Sequence, residues 1–509
     1  MFAATHGRAV SPAEPRVLSP VPWRPMLAIV AVAFVVACFS SSRYHLFGDE
    51  LYFIGAGRHL SASYADQGPA LPLLARLGAA WWGGHLTLFR LPGILLGVLS
   101  VVLAALTARE MGGSRGAQIL TAVVAALSPF VLLQSQLLAT NAVDAPFWAA
   151  ITFLLVRWVR TRQDRLLLFA GLLTAVDMQV KWLIPGFWVA LAVAVAVAGP
   201  REMLRRPALW LGGLVTIVAT LPGLLWQADA GWPYFRLTGQ VAAEGSLTGG
   251  RELYVPLLLL YAGPLGAMLL CAAVWWLLRD PRWREYRFLA VTFLLLAAAV
   301  WAVAGRPYYA GGLYVALIAV GSVELARRWP HKRGDGGVRV WARVTLAVGA
   351  IVGMVAVVAF LPLLRQSHIQ APRNMAAATL QTTPYGQFGW PELTRDVESA
   401  VASLPARPDA VVTEMYWQAG ALDFYGQGLP TVYSYSRGYA WLRQPPDSAR
   451  HVVWVGVDDD ASKYCSSSRL LKHVGTDRIG FPTASTGIDI RYCEMRMPWS
   501  HVWTSMRRM

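Results

Sequence analysis

The stretch MLAIVAVAFVVACFSSSRYHLFGDE, residues 26–50, decides how this chain folds. Its apolar run, residues 26–40, is preceded by three basic residues, Arg8, Arg16 and Arg24. Basic residues that flank a membrane span tend to stay in the cytoplasm. We therefore expect an uncleaved span with a cytoplasmic N-terminus. The pair Asp49-Glu50 then emerges at the outer water boundary, where two carboxylates are costly without a partner or a function.

The composition of the whole chain is that of a polytopic membrane protein. Of its 509 residues, 56% are hydrophobic and 15% are charged, whereas soluble domains carry about 25% charged residues. The net charge of +16 would suggest nucleic acid in a soluble protein. Here the basic residues cluster in short loops between apolar runs, which is the pattern that sets membrane orientation. We therefore expect no nucleic-acid partner.

Apolar runs long enough to approach the roughly 20 residues of a membrane helix recur along the chain. The sequence predicts eleven spans, at about 26–42, 86–106, 117–134, 142–158, 166–180, 182–199, 208–226, 253–278, 288–304, 308–326 and 344–364. The two spans between 166 and 199 are separated only by residues 177–181, so they are compatible with two short spans or with one broken helix.

Arginine and lysine are concentrated in every second loop between these spans, which predicts the orientation of the protein. The predicted cytoplasmic loops contain Arg109, Arg115, Arg157, Arg160, Arg162, Arg165, Arg201, Arg205, Arg206, Arg279, Arg282, Arg284, Arg287, Arg327, Arg328, Lys332 and Arg333. With an odd number of spans, the C-terminal part lies outside the cytoplasm. We expect an integral protein of the plasma (inner) membrane.

Two of the predicted outer loops are long. The first, residues 43–85, contains two apolar segments interrupted by Gly68 and Pro69, and we expect two interfacial helices lying on the membrane. The second, about residues 227–252, is longer than a simple connector requires, and such loops are more often functional.

The composition changes at residue 366, where apolar runs shorten and Asp, Ser and Pro become frequent. Residues 410–413 and 451–455 are typical of buried strands, and 392–404 has a helical pattern. The sequence therefore predicts a membrane domain over 1–365 and an extracytoplasmic α/β domain over 366–509. Cys465 and Cys493 in the second domain either form a disulfide, if it lies outside, or remain free thiols.

The pair Asp49-Glu50 is the sharpest candidate site. A carboxylate at the membrane surface can act as a general base toward an acceptor hydroxyl. Alternatively, the pair forms an acidic first turn of the helix that starts near Leu51, since carboxylates favour helix N-termini. Asp66 lies at a turn in the same loop. A further alternative is a metal held by Asp49 and Asp66 with His45 or His59, although no standard ligand spacing indicates one.

Three further groups are candidates for binding a substrate. Asp144 lies near the outer end of the fourth span, either as a functional acid or as a helix cap before Pro146. Lys181, the first lysine of the chain, either pairs with Asp177 four residues earlier or receives a phosphate. Arg306 is either an anion contact beside Tyr308 and Tyr309 or an anchor at the interface.

Four segments together resemble the GT-C glycosyltransferases, and more closely the bacterial members of glycosyltransferase family 39, the protein O-mannosyltransferase and aminoarabinose transferase group. They are residues 47–52 (FGDELY), 64–71 (YADQGPAL), 305–309 (GRPYY) and 413–422 (TEMYWQAGAL). The resemblance covers most of the chain, and its most specific parts are the first outer loop, which contains the first two segments, and the turn at 305–309.

This resemblance implies a GT-C membrane domain and an enzyme that moves a sugar from a polyprenyl-phosphate donor to a lipid, protein or glycan acceptor outside the cytoplasm. In that family role Asp49 is the base that deprotonates the acceptor, and Glu50 supports or positions the site. Inverting displacement releases the lipid phosphate toward cations in the positions of Lys181 and Arg306. Asp66, Tyr308 and Tyr309 would line the substrate site. The resemblance also implies that Asp144 lies near the sugar or the acceptor.

Some residues depart from the family pattern. The turn after Asp66 has Gly68 before Pro69 where relatives often have two prolines, and Arg306 stands where relatives often have lysine. Tyr416 and Trp417 also differ, which bears on the identity of the acceptor. The alternative class is a transporter or lipid flippase, but such proteins often place ionisable groups at mid-span in repeated halves, whereas here they fall at the outer ends of spans.

Overall fold

A computed structural model describes residues 18–81, 83–246, 250–328, 347, 349, 351–355, 361–373, 382–457 and 460–508. The last predicted span, 344–364, falls largely outside these residues. The described part of the chain consists of a helical N-terminal region followed by a region that contains a five-stranded sheet.

Fifteen helices precede residue 329 in the described part of the chain. They are α1 (Trp23–Ser41), α2 (Gly48–Gly57), α3 (Ala70–Trp81), α4 (Leu86–Glu110), α5 (Arg115–Ala126), α6 (Pro129–Gln134), α7 (Thr140–Thr161), α8 (Arg165–Asp177), α9 (Ile184–Ala198), α10 (Pro207–Asp229), α11 (Pro233–Ser246), α12 (Tyr254–Ala262), α13 (Pro264–Arg279), α14 (Arg287–Ala302) and α15 (Tyr314–Arg328). Short 3₁₀ turns cover Arg201–Arg205, Pro281–Tyr286, Pro307–Leu313 and Gln366–His368.

Six helical segments of the described residues are long and apolar enough to cross a membrane, or seven if α12 and α13 form one bent span. The bend of 108° between α12 and α13 has a local cause, because Gly263 adopts a positive φ of 78° and Pro264 removes a backbone donor. Three shorter apolar helices, α3, α5 and α9, accompany them. The predicted polytopic helical architecture is confirmed, and the predicted number of eleven spans stays a prediction.

Exposed apolar side chains show which surface of the protein lies against lipid. On α10, Ile217, Val218 and Leu225 are each about three-fifths exposed, at 60%, 61% and 58%. A row of this kind on a helix of 23 residues, about 34 Å long, is stable only against an apolar solvent. The chain is therefore an integral membrane protein.

The stretch 166–199 forms two helices, α8 and α9, of 13 and 15 residues. Each is about 20 Å long, which is shorter than the roughly 30 Å hydrocarbon layer. Helix α8 packs closely on α10 where Gly171 faces Gly212, since a side chain on Gly171 would collide with the backbone of Gly212. The non-helical segment between α8 and α9 contains Lys181, and irregular backbone at such depth is tolerated where it is buried or lines a cavity.

The arginine-rich loops meet at one end of the helical region. Arg162, after α7, forms ion pairs with Glu202 after α9 and with Glu285 before α14. Arg160 pairs with Glu110 at the end of α4, 2.6 Å apart. The loops that the sequence assigns to one side of the membrane are therefore neighbours in space.

Helices α2 and α3 occupy the first long outer loop, where two interfacial helices were expected. Helix α3 exposes Leu77 and Trp81, at 52% and 83%, as a helix in contact with lipid would. Helix α2 is different, because all of its residues except Asp49 are buried. It lies between the helical region and the C-terminal region and does not rest on the membrane with one free face.

The C-terminal region is an α/β unit, as predicted. Its helices are α16 (Thr382–Gln387), α17 (Trp390–Ala402), α18 (Tyr416–Tyr425), α19 (Tyr439–Leu442), α20 (Asp460–Tyr464) and α21 (Trp499–Met506). Its strands are β1 (Ala410–Thr413), β2 (Val432–Ser434), β3 (His451–Gly456), β4 (Cys465–Val474) and β5 (Ile488–Met495), in the order β2-β1-β3-β5-β4. Strands β2, β1 and β3 are parallel, and β5 and β4 are antiparallel to their neighbours.

The predicted strands 410–413 and 451–455 correspond to β1 and β3, which are the central, buried strands of the sheet. Because β1 and β2 are parallel, their carboxyl ends lie at the same edge. From this edge the chain continues into α18 and into the segment around Arg437, and helix α18 packs against α2. The edge of the sheet thus faces the first outer loop. The boundary between the two domains at 365/366 remains a proposal.

Candidate active site

Asp49 is the second residue of α2 and is half-buried. Its Oδ1 accepts hydrogen bonds from the Tyr416 hydroxyl at 2.7 Å and from the Trp417 indole N–H at 2.8 Å. Among the described residues, Oδ2 accepts no hydrogen bond. One oxygen of the carboxylate is thus fixed by the outer domain, and the other is left for a ligand.

The two aromatic donors come from the carboxyl end of β1. Tyr416 and Trp417 start α18, directly after the strand, and Trp417 packs on Gly48, where any side chain would collide with the indole ring. The sequence motif at 413–422 pointed to this segment, although not to its contact with Asp49. That contact depends on how the two domains dock.

Glu50 faces away from Asp49 and is fully buried. Its carboxylate accepts two hydrogen bonds from Arg90, at 2.8 and 2.6 Å, and one each from the backbone N–H groups of Phe47 and Leu138, at 2.8 and 2.9 Å. These bonds join the start of α2 to α4 and to the segment before α7. Glu50 therefore has the geometry of a residue that positions Asp49, and its expected catalytic role stays a prediction.

Asp66 lies in the turn between α2 and α3 and accepts a hydrogen bond from the Tyr52 hydroxyl at 2.7 Å. Burial raises the pKa of this carboxyl, the Tyr52 hydrogen bond and the Arg437 charge oppose that rise, and the negative charge of Asp49 adds to it. The Tyr52 ring also lies 5.3 Å from the ring of Tyr416, whose hydroxyl donates to Asp49, so Asp66 and Asp49 belong to one site.

Lys181 projects from the break between α8 and α9. Its ammonium donates to the Asn141 side chain at 2.8 Å and lies 4.2 Å from the centre of the Tyr309 ring. Asp144, Asp177 and Asp49 all lie within electrostatic range of this ammonium. Both expected roles of Lys181, pairing with Asp177 and receiving a phosphate, fit this position, because Asp177 and the candidate base Asp49 both lie near it.

Asp144 is buried near the start of α7, and its Oδ1 accepts a hydrogen bond from Trp148 at 3.1 Å. Asp177 is fully buried, and within the described residues neither of its oxygens has a geometrically acceptable donor. The two acids influence each other and Lys181. The two acids and Lys181 therefore form one cluster of ionisable side chains.

Arg306 lies just before the 3₁₀ turn Pro307–Leu313, with Tyr308 and Tyr309 in that turn. Its Nη2 donates to Glu244 of α11 at 2.9 Å. Glu244 also accepts from Arg437, which follows β2. The sequence placed Glu244 in a functional loop but gave no signal for Arg437, whose position becomes evident only when the sheet edge is docked.

No group of three or more His, Cys, Asp or Glu side chains close enough to hold a metal ion occurs in the ranges that the structure describes. The backbone oxygen of His45 accepts from Arg90 at 2.9 Å, and the ring of His59 lies near Arg443 and Asp423. Within those ranges neither histidine belongs to a cluster with Asp49 and Asp66.

The cysteines fall into two classes. Cys465, the first residue of β4, and Cys493, within the neighbouring strand β5, are joined by a disulfide with a Cα–Cα distance of 5.6 Å. Cys38 and Cys271 are free. A disulfide fits a domain in an oxidising compartment.

Comparison with known proteins places the site in context. The family model described as dolichyl-phosphate-mannose-protein mannosyltransferase matches residues 66–226, which is less than half of the chain but contains Asp66, Asp144 and Lys181. None of the curated proteins compared with the chain matches it significantly.

Solved structures match over a larger part of the chain. ArnT from Cupriavidus metallidurans bound to undecaprenyl phosphate has a TM-score of 0.62 at 16% identity, covering 94% of this chain and 99% of that one. Its apo state has a TM-score of 0.60 at 15% identity, covering 92% and 97%. The oligosaccharyltransferase AglB from Archaeoglobus fulgidus, in complex with an inhibitory peptide and a dolichol-phosphate, has 0.51 at 13%, covering 85% and 69%. The resemblance expected from the sequence is confirmed: this chain has the fold of the GT-C membrane glycosyltransferases.

Proposed function

We propose that this protein is a membrane glycosyltransferase that moves a sugar from a polyprenyl-phosphate donor to a hydroxyl-bearing acceptor outside the cytoplasm. The observation that carries the proposal is a chain of contacts between Asp49 and cations of separate segments. Tyr416 donates to Asp49 at 2.7 Å and its ring lies 5.1 Å from the Arg437 guanidinium, which shares Glu244 with Arg306. The charge of Asp49 acts on Lys181, between α8 and α9, and on Arg437, from the outer domain. The charge of Arg437 acts in turn on Arg306.

The proposed reaction uses the free oxygen of Asp49. Its Oδ2 takes the proton of the acceptor hydroxyl, and the hydroxyl oxygen then attacks the anomeric carbon of the donor. The bond from that carbon to the phosphate oxygen breaks with inversion, and the electron pair leaves with the lipid phosphate. Fixed cations stabilise charge that develops on a leaving oxygen, which is the role we assign to Lys181 and Arg306.

The remaining predicted residues shape the site around this reaction. Asp144 and Asp66 can accept hydrogen bonds from sugar hydroxyls, and Tyr308 and Tyr309 present rings beside the cations. ArnT and AglB were solved with undecaprenyl phosphate and with a dolichol-phosphate, respectively, and this supports a lipid phosphate as the carrier. The comparisons do not favour the transporter alternative.

A transfer assay tests the proposal. Purified protein is mixed with polyprenyl-phosphate sugars radiolabelled in the sugar, with a membrane extract as the source of acceptors. We expect label to leave at least one polyprenyl-phosphate sugar and to appear in a new product. Folded protein that releases label from no polyprenyl-phosphate hexose or pentose would contradict the proposal.

Orientation is a separate prediction. In a background with Cys38 and Cys271 replaced by Ala, cysteine is introduced as Glu252→Cys, in the loop before α12, or as Arg282→Cys, between α13 and α14. We expect an impermeant thiol reagent added to intact cells to label only the first variant, because the arginine-rich loops stay in the cytoplasm. Labelling of Arg282→Cys alone would place the site on the opposite side of the membrane.

A further inference from the structure

One carboxylate joins three distant parts of the chain. Glu244, on α11, accepts hydrogen bonds from Arg437 Nη2 at 2.5 and 2.7 Å and from Arg306 Nη2 at 2.9 Å. Arg306 precedes a turn of the membrane region, and Arg437 belongs to the outer domain. The three side chains are 31%, 23% and 18% exposed, in the order Glu244, Arg306 and Arg437, so this cluster lies at an accessible surface of the protein.

The two arginines form a site for an anion. Guanidinium groups bind carboxylate and phosphate oxygens with the same planar donor geometry. The Arg437 guanidinium also lies 5.1 Å from the centre of the Tyr416 ring, and the Tyr416 hydroxyl donates to Asp49. The anion held between Arg306 and Arg437 is therefore one side chain away from the candidate base.

Glu244 is charged in this arrangement. Burial alone would raise the pKa of its carboxyl, but the Arg437 and Arg306 guanidinium groups lower that pKa below its ordinary value. The anion site is thus occupied by a charge that belongs to the protein itself.

We propose that Glu244 is an internal competitor for the lipid phosphate: its carboxylate occupies the anion site of Arg306 and Arg437 in the donor-free protein, and the phosphate displaces it. This inference rests on the proposed function, because it assumes that a polyprenyl phosphate binds beside Asp49.

The charges of donor and product explain how this competition would help product release. The donor is a phosphodiester with one negative charge, whereas the released polyprenyl phosphate is a monoester with a second pKa near 6 and so carries almost two charges at pH 7. Cations arranged around the leaving oxygen therefore bind the product more strongly than the donor. A carboxylate that returns to the arginines weakens the hold on the product and favours its release.

The competing interpretation is that Glu244 merely orients the two arginines. The two interpretations predict changes of opposite sign. If Glu244 orients the arginines, neutralising it weakens phosphate binding, because the guanidinium groups lose their support. If Glu244 competes, neutralising it strengthens binding.

The test measures equilibrium binding of radiolabelled undecaprenyl phosphate to the full-length protein in lipid nanodiscs. We expect Glu244→Gln to lower Kd by about fivefold, and the same product to inhibit sugar transfer at correspondingly lower concentration. Glu252→Gln is the matched control, since it removes the same charge from an exposed position of the same outer loop, and we expect its Kd to be unchanged. Glu244→Ala is a second variant of the site, for which we expect the same direction.

The outcomes separate the two proposals. Wild-type protein that binds no undecaprenyl phosphate would overturn the proposed function together with this inference. Wild-type binding with an unchanged or higher Kd in both Glu244 variants would overturn the inference alone. An equal decrease in Glu244→Gln and Glu252→Gln would also overturn it, because the effect would then be one of overall charge and not of occupancy.

Discussion

Asp49→Asn is expected to slow sugar transfer by at least about 100-fold, which is the scale of a lost general base. Asparagine has the shape of aspartate, and its amide oxygen can accept the hydrogen bonds that Asp49 Oδ1 receives from Tyr416 and Trp417. The outer domain should therefore stay docked. The variant has an amide nitrogen at the position of Oδ2, and so it has no basic oxygen there to take the proton of the acceptor. The measurement is the initial rate of label transfer from the polyprenyl-phosphate sugar that the wild type uses.

Two variants serve as references for that rate. Asp280→Asn makes the same change at the far end of the protein, where Asp280 pairs with Arg282, and we expect the rate of the wild type. Asp66→Asn changes the second acid beside the site. A larger loss in Asp66→Asn than in Asp49→Asn would assign the base to Asp66, and full turnover in a folded Asp49→Asn protein would remove Asp49 from the mechanism.

Much of this site could be predicted from the membrane topology that the sequence indicates. The alternation of arginine-rich and arginine-poor loops assigns Asp49, Lys181 and Arg306 to one side of the membrane, and helix packing then brings the ends of those spans together. The structure places all three in one electrostatic cluster. The sequence could therefore predict which loops come together, but not which side chains form hydrogen bonds.

The different roles of Asp49 and Glu50 were also accessible in principle. Consecutive residues of an α-helix point about 100° apart, so the two carboxylates are expected to meet different surroundings. Periodicity does not say which one is buried. The choice depends on Arg90, forty residues away on α4, and on the backbone N–H of Leu138.

Arg437 and Glu244 were beyond the reach of sequence reasoning for a different reason. Each is an ordinary charged residue in a polar segment, and they are separated by 193 positions. Their contact exists only because the carboxyl edge of the sheet is docked on the outer loops. By contrast, the sequence located the break between α8 and α9 at residues 177–181, and left open only whether it separates two short spans or lies within one broken helix.

The second large expected effect is a loss of stability, and it concerns the buried ion pair that holds α2 in place. Arg90→Met is expected to lower the free energy of unfolding by about 3 kcal/mol or more, because removal of one partner leaves a buried charge without compensation. Glu50 and Arg90 are 0% and 1% exposed, and the Arg90 guanidinium also donates to the backbone oxygens of Ser41 and His45. The measurement is unfolding by sodium dodecyl sulfate, followed by tryptophan fluorescence.

A double variant isolates the cause of that loss. Glu50→Gln combined with Arg90→Met removes the stranded charge while keeping an oxygen for the N–H groups of Phe47 and Leu138, and we expect it to recover about 1 kcal/mol or more of the loss. The comparison pair is Arg395→Met, whose partner Glu392 lies at the surface and whose loss should cost no more than about 0.5 kcal/mol. If Arg90→Met costs no more than Arg395→Met, the ion pair does not fix α2, and the position of Asp49 must then depend on its bonds to Tyr416 and Trp417 alone.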